Sequence, residues 1–456
     1  MSTESANMPS RVFISSLAVF SLGLLSMVSA SGPPGRLGKP HHPRDVLRYG
    51  RPESVGLLSE PLHDLVANLS AYTRPGDYGD YTDGVHPIEP GSANLIAHNS
   101  VIVSHFAVGD AVLYADVSGT LLPSWKRRKA RRDSIYDMAS LTKMYTTMAA
   151  LQQVDAGLLE LDALVTSYIP EFAANNKEDI TIMMLMTHIS GFAPEPKPPL
   201  YASNYTTIDQ RVEAIINQKI ENKPGTTYQY SDLNYMTLML VLEKITGKKL
   251  DDLIHSFTSS LGMKDTFFNR GNIEGPVFRP YHRIVAQEFQ IDVQGPQVPD
   301  RPQPVRGTVH DENAWSLNGV SGHAGLFSTV GDTAKMCQML LNNGTYNGRR
   351  ILRPETVDLI FTNFLADIDP ENPRGIGFQL NHTATAGPMA SMLTASHTGF
   401  TGTSMVIDRA SGTFFLHFAN RVHPSREWSD NGLTRQAMGY WVARAFGREV
   451  EFPAME

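Results

Sequence analysis

The sequence predicts an α/β fold carrying an all-α part: a central antiparallel sheet built from both chain ends and flanked by helices, with a helical lobe inserted between. Two observations predict it. Strand patterns gather near the two ends of the 456-residue chain, while helical periodicity fills the middle. Consecutive strands are joined by short turns, which only antiparallel neighbours allow. A chain of this length exceeds the usual ~100–200 residues of a domain, so it can bury a large core as one domain or as two lobes.

From the N-terminus, Arg11 precedes the apolar run Val12–Val28, and Val28-Ser29-Ala30 fits a small-residue cleavage site. Residues 1–30 are therefore expected to be a signal peptide. The run falls short of the ~20 residues a membrane span needs, although a retained signal anchor is the alternative. Residues 31–50, with Ser-Gly-Pro-Pro-Gly and His-His-Pro-Arg, form an expected flexible leader. Leu57–Leu69 has helical spacing. A hairpin follows, Asn94–His98 and Val101–Val108 around Asn99-Ser100, continued by Ala111–Ala115. The basic stretch Lys126–Arg132 is expected to be a solvated loop, with a processing site or an anion-attracting rim as alternatives.

Leu141, Tyr145, Met148 and Leu151 then share one helix face that ends near Gly157. Further helical stretches are Ile180–Thr187, Ile208–Lys219, Leu233–Thr246 and Leu250–Leu261. Residues 270–310, rich in Pro, Gln and Arg, are expected to be loop. After a helix at Asp332–Leu341, strands return at Ala395–Gly399, Thr403–Asp408 and Thr413–Asn420, and a helix spans about Ser429–Phe446.

Composition removes several function classes. Hydrophobic residues make up 41% and charged residues 19%, which excludes a disordered or fibrous chain. Thirty-nine basic against 46 acidic residues leave −7, which argues against a nucleic-acid partner. The single cysteine, Cys337, excludes an internal disulfide framework and a Cys-rich metal site. Four sequons agree with secretion: Asn68-Leu69-Ser70, Asn204-Tyr205-Thr206, Asn343-Gly344-Thr345 and Asn381-His382-Thr383.

The candidate chemistry begins at Ser140-Leu141-Thr142-Lys143. A three-residue spacing puts serine and lysine on one helix face, among helix-end amides. Lysine beside serine can stabilise its alkoxide, or take its proton if burial lowers the amine pKa. Ser140 alone among the serines has a lysine three residues on, yet about one such pair is expected by chance. Tyr230-Ser231-Asp232 leads into a helix, where Ser231 or Asp232 could equally be an N-cap. His397-Thr398-Gly399 ends a strand, and His323-Ala324-Gly325 is a rival match to the same short pattern. A metal at His310, Asp311 and His323 fits no standard spacing, and no cofactor is expected. No G-x-S-x-G elbow and no H-E-x-x-H is present.

Taken in order, S-x-x-K, Y-S-D and H-T-G resemble the penicillin-recognising serine hydrolases: class C β-lactamases, D-alanyl-D-alanine carboxypeptidases and their esterase relatives. The likeness extends through Pro52–Leu57, Asp137–Lys143, Met186–Gly191, Pro224–Tyr235 and Gly322–Ser328, from about residue 52 to 446. It implies a β-lactamase/transpeptidase-like fold in one catalytic unit, residues 51–456. Its α/β lobe would take about 51–135 and 310–456, and its helical lobe about 136–309.

The resemblance also implies roles. Ser140 would be the acyl-accepting nucleophile. Lys143 and Tyr230 would activate it and protonate the leaving group, and the backbone amides of Ser140 and Phe400 would hold the oxyanion. Two departures stand out: His397 where lysine is common, and Asp232 where asparagine often follows Tyr-Ser. Histidine carries less fixed positive charge for a substrate carboxylate, which favours neutral esters. Asp232 adds negative charge and donates no hydrogen bond when ionised. The expected function is a secreted serine hydrolase or acyltransferase acting on a small-molecule ester or amide, without stable membrane association once the signal is removed. β-Lactam or D-amino-acid peptide cleavage, transesterification, and a non-catalytic binding or filament scaffold are the alternatives.

Overall fold

The computed structural model describes residues 46–270, 281–290 and 301–453. The expected signal peptide, most of the leader and part of the Pro/Gln/Arg-rich stretch lie outside the described residues. The first described elements are β1 (Arg48–Tyr49) and α1 (Glu60–Tyr72), then the hairpin β2 (Gly91–His98) and β3 (Val101–Val112). Asn99 and Ser100 both take positive φ, 49° and 64°, the left-handed backbone that a tight two-residue hairpin turn needs. β4 (Arg128–Lys129) pairs with β3, so the basic stretch expected to be loop contains a short edge strand. There Lys129 meets Asp110 at 3.0 Å.

β5 (Tyr136–Asp137) leads to five helices: α2 (Thr142–Asp155), α3 (Ile182–Thr187), α4 (Ile208–Ile216), α5 (Asp232–Thr246) and α6 (Leu250–Ser260). β6 (Phe267–Phe268), α7 (Glu312–Ser316), β7 (Leu326–Ser328) and α8 (Val330–Leu341) follow. A small hairpin, β8 (Thr345–Tyr346) and β9 (Arg349–Arg350), precedes α9 (Pro354–Asp358), β10 (Gln379–Leu380) and α10 (Thr383–Ala386). The last elements are β11 (Thr394–Thr398), β12 (Ser404–Asp408), β13 (Thr413–Ala419) and α11 (Gly432–Ala445).

The main sheet runs β1-β3-β2-β13-β12-β11-β10, with β4 beside β3, so strands from both chain ends interleave. Its pairings are antiparallel except at one edge, where β1 lies parallel to β3. The expected all-antiparallel sheet is corrected there. The intervening chain, α1 included, is long enough for the crossover that parallel strands require. Arg48 N donates to Ser100 O at 3.1 Å and Gly50 N to Ile102 O at 3.2 Å, which brings the end of the expected leader into the sheet. A second sheet, β5-β7-β6, was invisible in the sequence because two- or three-residue strands carry no periodicity.

Strand alternation sets the layers. Phe414, Leu416 and Phe418 of β13, with Met405 and Ile407 of β12, enter the large core that α2 and α8 share. Phe415, Val406 and Ile96 face the other way, onto α1 and α11, where Leu62, Leu65, Leu69, Leu433, Ala437 and Met438 meet them. Both faces are covered, which is why these strands read as continuous apolar runs.

Gly439, inside α11, shows how closely that layer is packed. A β-carbon there would lie 2.0 Å from the carbonyl oxygen of Ala386 in α10. Alanine would gain about 1 kcal/mol of helix propensity at a free position. Here the clash with backbone outweighs it, and Gly439→Ala is expected to destabilise by roughly 1–3 kcal/mol. Urea unfolding measures this, and a variant as stable as wild type would refute the packing argument.

Candidate active site

Ser140 sits on a sharp turn at the start of the helix that carries Lys143. A short 3-10 turn covers Ala139–Leu141, and α2 starts only at Thr142. Ala139 takes φ 44°, a strained value for a residue with a β-carbon. The buried carboxylate of Asp137 holds the turn, accepting from Ala139 N at 2.8 Å and His310 N at 2.6 Å. The amide of Ser140 lies at the start of this turn, where no helical acceptor exists.

Lys143 is fully buried and saturated with acceptors. Its Nζ lies 3.0 Å from Ser140 Oγ and 3.4 Å from the carbonyl oxygen of His323. It also lies 2.6 Å from Asp232 Oδ1. Burial alone would push the amine down, but Asp232 and Tyr230 more than offset it and hold the amine above its ordinary range. Lys143 is therefore a cation at neutral pH.

Asp232 is the first residue of α5 and faces the lysine, so it does not act as a helix cap. Ser231 stands at the cap position without capping. Its Oγ donates to Ala193 O at 2.5 Å. The capping alternative fails because both side chains have stronger tertiary partners.

The Tyr230 hydroxyl reaches both Ser140 and Lys143. Its ring lies 4.8 Å from Lys143 Nζ and stacks on His188 at 4.5 Å. His188 Nδ1 accepts from Ser231 N and faces Asn234 Nδ2, each at 3.1 Å, which anchors the imidazole beneath the phenol. Burial raises Tyr230 above its ordinary range, and the lysine only partly counters this. The resting phenol is neutral.

His397 lies 5.9 Å from the Tyr230 ring. Burial, with Arg374 and Lys143 nearby, pushes it well below the ordinary histidine range. The ring is therefore neutral and gives Tyr230 no charge assistance, although its Nδ1 donates to Thr398 O at 2.8 Å.

Gly399 has to be glycine, because a β-carbon would lie 2.1 Å from Thr403 Oγ1 and 2.5 Å from Met138 O. Thr403 Oγ1 donates to Met138 O at 3.1 Å, and Thr401 Oγ1 to Asp137 O at 2.8 Å. These bonds fasten the turn after β11 to the turn that carries Ser140. Phe400, 46% exposed, lines with Ser140, Tyr230 and His397 a cleft of about 390 Å³.

Several residues of the site carry no sequence signal. Arg374 is 1% exposed, opens onto the cleft, and donates through Nη2 to Tyr228 Oη at 2.8 Å. Among the described residues its buried Nε and Nη1 have no hydrogen-bond partner, and its carbon Cζ lies 4.9 Å from the centre of the Tyr228 ring. It comes from the loop before β10, far in sequence from Tyr228. Arg421 and Arg435 also line the cleft. The rival His323 is no second strand-edge site, since its ring is held by Ser321 Oγ at 2.7 Å and Asp311 Oδ1 at 3.0 Å.

Asp232, Asp311 and His323 are the one cluster of potential metal donors among the described residues. The Lys143 ammonium already occupies the Asp232 carboxylate, and a divalent cation there would face that like charge. Glu195 approaches the same cluster: it hydrogen-bonds Asp232 and accepts from Asn313 Nδ2 at 3.0 Å.

Of the sequon asparagines, Asn204, Asn343 and Asn381 are exposed. Asn68 lies within α1 and accepts from Trp441 Nε1 at 3.0 Å.

Comparison with known proteins agrees with this architecture. The Beta-lactamase family profile matches residues 97–438. A protein from Escherichia coli (strain K12), provisionally named a D-alanyl-D-alanine carboxypeptidase, is 35% identical over 403 residues, covering 83% of this chain and 86% of its own. One of the same name from Salmonella enteritidis PT4 (strain P125109) is 32% identical over 406 residues, covering 83% and 87%. Among solved structures, the hydrolase EstCE1, described as having promiscuous acyltransferase activity, superposes with a TM-score of 0.60 at 18% identity, covering 84% of this chain and 99% of that one. A penicillin-binding protein homologue from Caulobacter crescentus gives 0.61 at 17%, covering 86% and 99%. With this fold, and with relatives above 30% identity along most of its length, the chain belongs to the Beta-lactamase family and is a serine hydrolase of that family.

Proposed function

We propose that the chain is a secreted hydrolase or acyltransferase that works through a covalent acyl-Ser140 intermediate, with carboxylic esters as first substrates. The observation that carries this reading is Lys143 Nζ held 3.0 Å from Ser140 Oγ by a 2.6 Å ion pair to Asp232. A cation fixed at that distance stabilises a serine alkoxide as it forms.

Ser140 Oγ attacks the acyl carbon, forming the O–C bond. Because Tyr230 rests as a neutral phenol, it relays protons: it receives the serine proton while passing its own to the departing alkoxide. The ester C–O bond breaks, and water or another alcohol then reverses the sequence on the acyl-serine. The amides of Ser140 and Phe400 are the proposed donors to the carbonyl oxygen, and neither donates to a protein acceptor among the described residues.

A second reading is favoured by Arg374. The histidine of His397-Thr398-Gly399 led to the expectation of little fixed positive charge, yet the Arg374 guanidinium lines the same cleft. A fixed cation there suits a substrate carboxylate. This supports acyl substrates bearing a carboxylate, including amides of the D-alanyl-D-alanine type and β-lactams, beside neutral esters.

Three measurements test these statements. Wild type should hydrolyse a p-nitrophenyl ester and take a fluorophosphonate on Ser140, and Ser140→Ala should do neither; equal rates for the two proteins would end the acyl-serine reading. Arg374→Gln should lower the preference for a carboxylate-bearing substrate over a neutral ester by at least about tenfold, the value of one charge-assisted pair. An unchanged preference would remove Arg374 from substrate recognition. N-terminal sequencing of secreted protein should begin after Ala30, and a mature chain starting at Met1 would contradict secretion.

The pH dependence has a definite sign. Asp232 is the larger of the two groups that hold the Lys143 proton, so Asp232→Asn leaves burial less compensated and lowers the amine. The alkaline limb of kcat/KM should move to lower pH by about one unit or more. A limb that stays in place or moves up would show that Lys143 does not act as a cation.

A further inference from the structure

We propose that Arg435, reaching from α11, is the positioning residue of the oxyanion site: it fastens the carbonyl of Gly399, and so aims and polarises the Phe400 amide. This rests on the acyl-serine reading above and concerns how its oxyanion donor is prepared.

The argument starts from one peptide unit. In a planar trans peptide the C=O and N–H point in opposite directions. The Gly399 carbonyl accepts from Arg435 Nη2 at 3.0 Å and from Gly402 N at 3.0 Å, so it faces the inside of its turn and α11. The N–H of the same unit, that of Phe400, therefore faces away from α11, towards the cleft it shares with Ser140. The neighbouring units are fixed as well. Gly399 N donates to Thr403 O at 2.7 Å, and Phe400 O accepts from Arg421 Nε at 2.8 Å. With both flanking peptides tied, the Gly399–Phe400 plane has little freedom to rotate.

Arg435 is also unusual in charge. Among the described residues no carboxylate lies within ion-pair distance of it, and its buried Nε has no partner. Burial and the nearby Arg421 push its pKa down to about 10, which leaves it charged at neutral pH. A partly buried guanidinium without a direct ion pair is unfavourable in the resting protein, and the more distant Asp430 and Glu89 offset this only in part. A negative charge forming beyond the Phe400 N–H would lie in line with it, through the polarised peptide. A charge-assisted bond to the carbonyl strengthens the opposing N–H as a donor. The gain is larger for an oxyanion than for a neutral carbonyl, so it favours the transition state over the bound substrate.

The test compares an ester with its thionoester, which carries the same leaving group. The sulfur of a thionoester is a poor acceptor and profits little from oxyanion donors. Arg435→Met should lower kcat for the ester by about tenfold, less than the 10²–10³ lost when a whole donor is removed. KM should stay within about twofold, and the oxo-to-thiono rate ratio should narrow in step with kcat. Arg435→Lys should recover part of both. If Arg435→Met does not fold, Arg435→Gln, which keeps a neutral donor, should still narrow the ratio. An unchanged kcat, or a lower kcat with an unchanged ratio in whichever variant folds, overturns the inference. Wild type that turns over no ester and takes no fluorophosphonate overturns the acyl-serine reading and this inference with it. Active wild type with unaffected Arg435 variants overturns this inference alone.

Discussion

The buried Lys143–Asp232 ion pair is the constraint on which the rest of the site depends. Lys143 is fully buried, and removing either partner of such a pair typically costs about 3–5 kcal/mol because the other charge is left uncompensated. The pair joins the first turns of α2 and α5, so those two helices meet at their N-termini, where the serine and tyrosine are carried. Tyr230 precedes α5 and Ser140 precedes α2, which places both side chains around one ammonium. An asparagine at position 232 would bring the same elements together without fixing the charge. Asp232 therefore changes the electrostatic state of the site more than its shape.

A second constraint acts through backbone. The turn after β11 and the turn before α2 are stitched by Thr401 and Thr403 to the carbonyls of Asp137 and Met138. Those bonds need close approach, and Gly399 is the position where any β-carbon would prevent it. The three arginines at the cleft divide their work. Arg374 donates to Tyr228, whereas Arg421 donates through Nε to the carbonyl of Phe400 and Arg435 through Nη2 to that of Gly399. Positive charge expected to be scarce in a site with His397 is present, but on the loop before β10 and on α11.

The helices were legible through the spacing of their large apolar residues, and the long strands through apolar runs bounded by turn residues. Leu141, Tyr145, Met148 and Leu151 predicted α2 through their helical spacing, and the structure buries that helix on all sides from Thr142 to Leu151. The β2–β3 hairpin was legible through Asn99-Ser100, which suit a turn of left-handed backbone. By contrast, β1, β5, β6 and β7 are two or three residues long and are defined by their partners. Ser140 and Lys143 could be paired by spacing, and Tyr230 by motif order. His188, Arg374 and Arg435 could not, because each acts through contacts with residues distant in the chain.

Which chemical groups are present, and which of them are close along the chain, can be read from the residues alone: a serine with a lysine one turn on, a tyrosine before α5, a glycine that ends a strand. Periodicity and short-range spacing carry that information, since they follow from backbone geometry. Tertiary structure decided the charge states. Lys143 is a cation because Asp232 reaches it from another helix, His397 is neutral because burial and Arg374 make it so, and Tyr230 rests as a phenol because the core desolvates it. Protonation depends on the distance to groups far along the chain and on the exclusion of water, and only the folded packing sets either one.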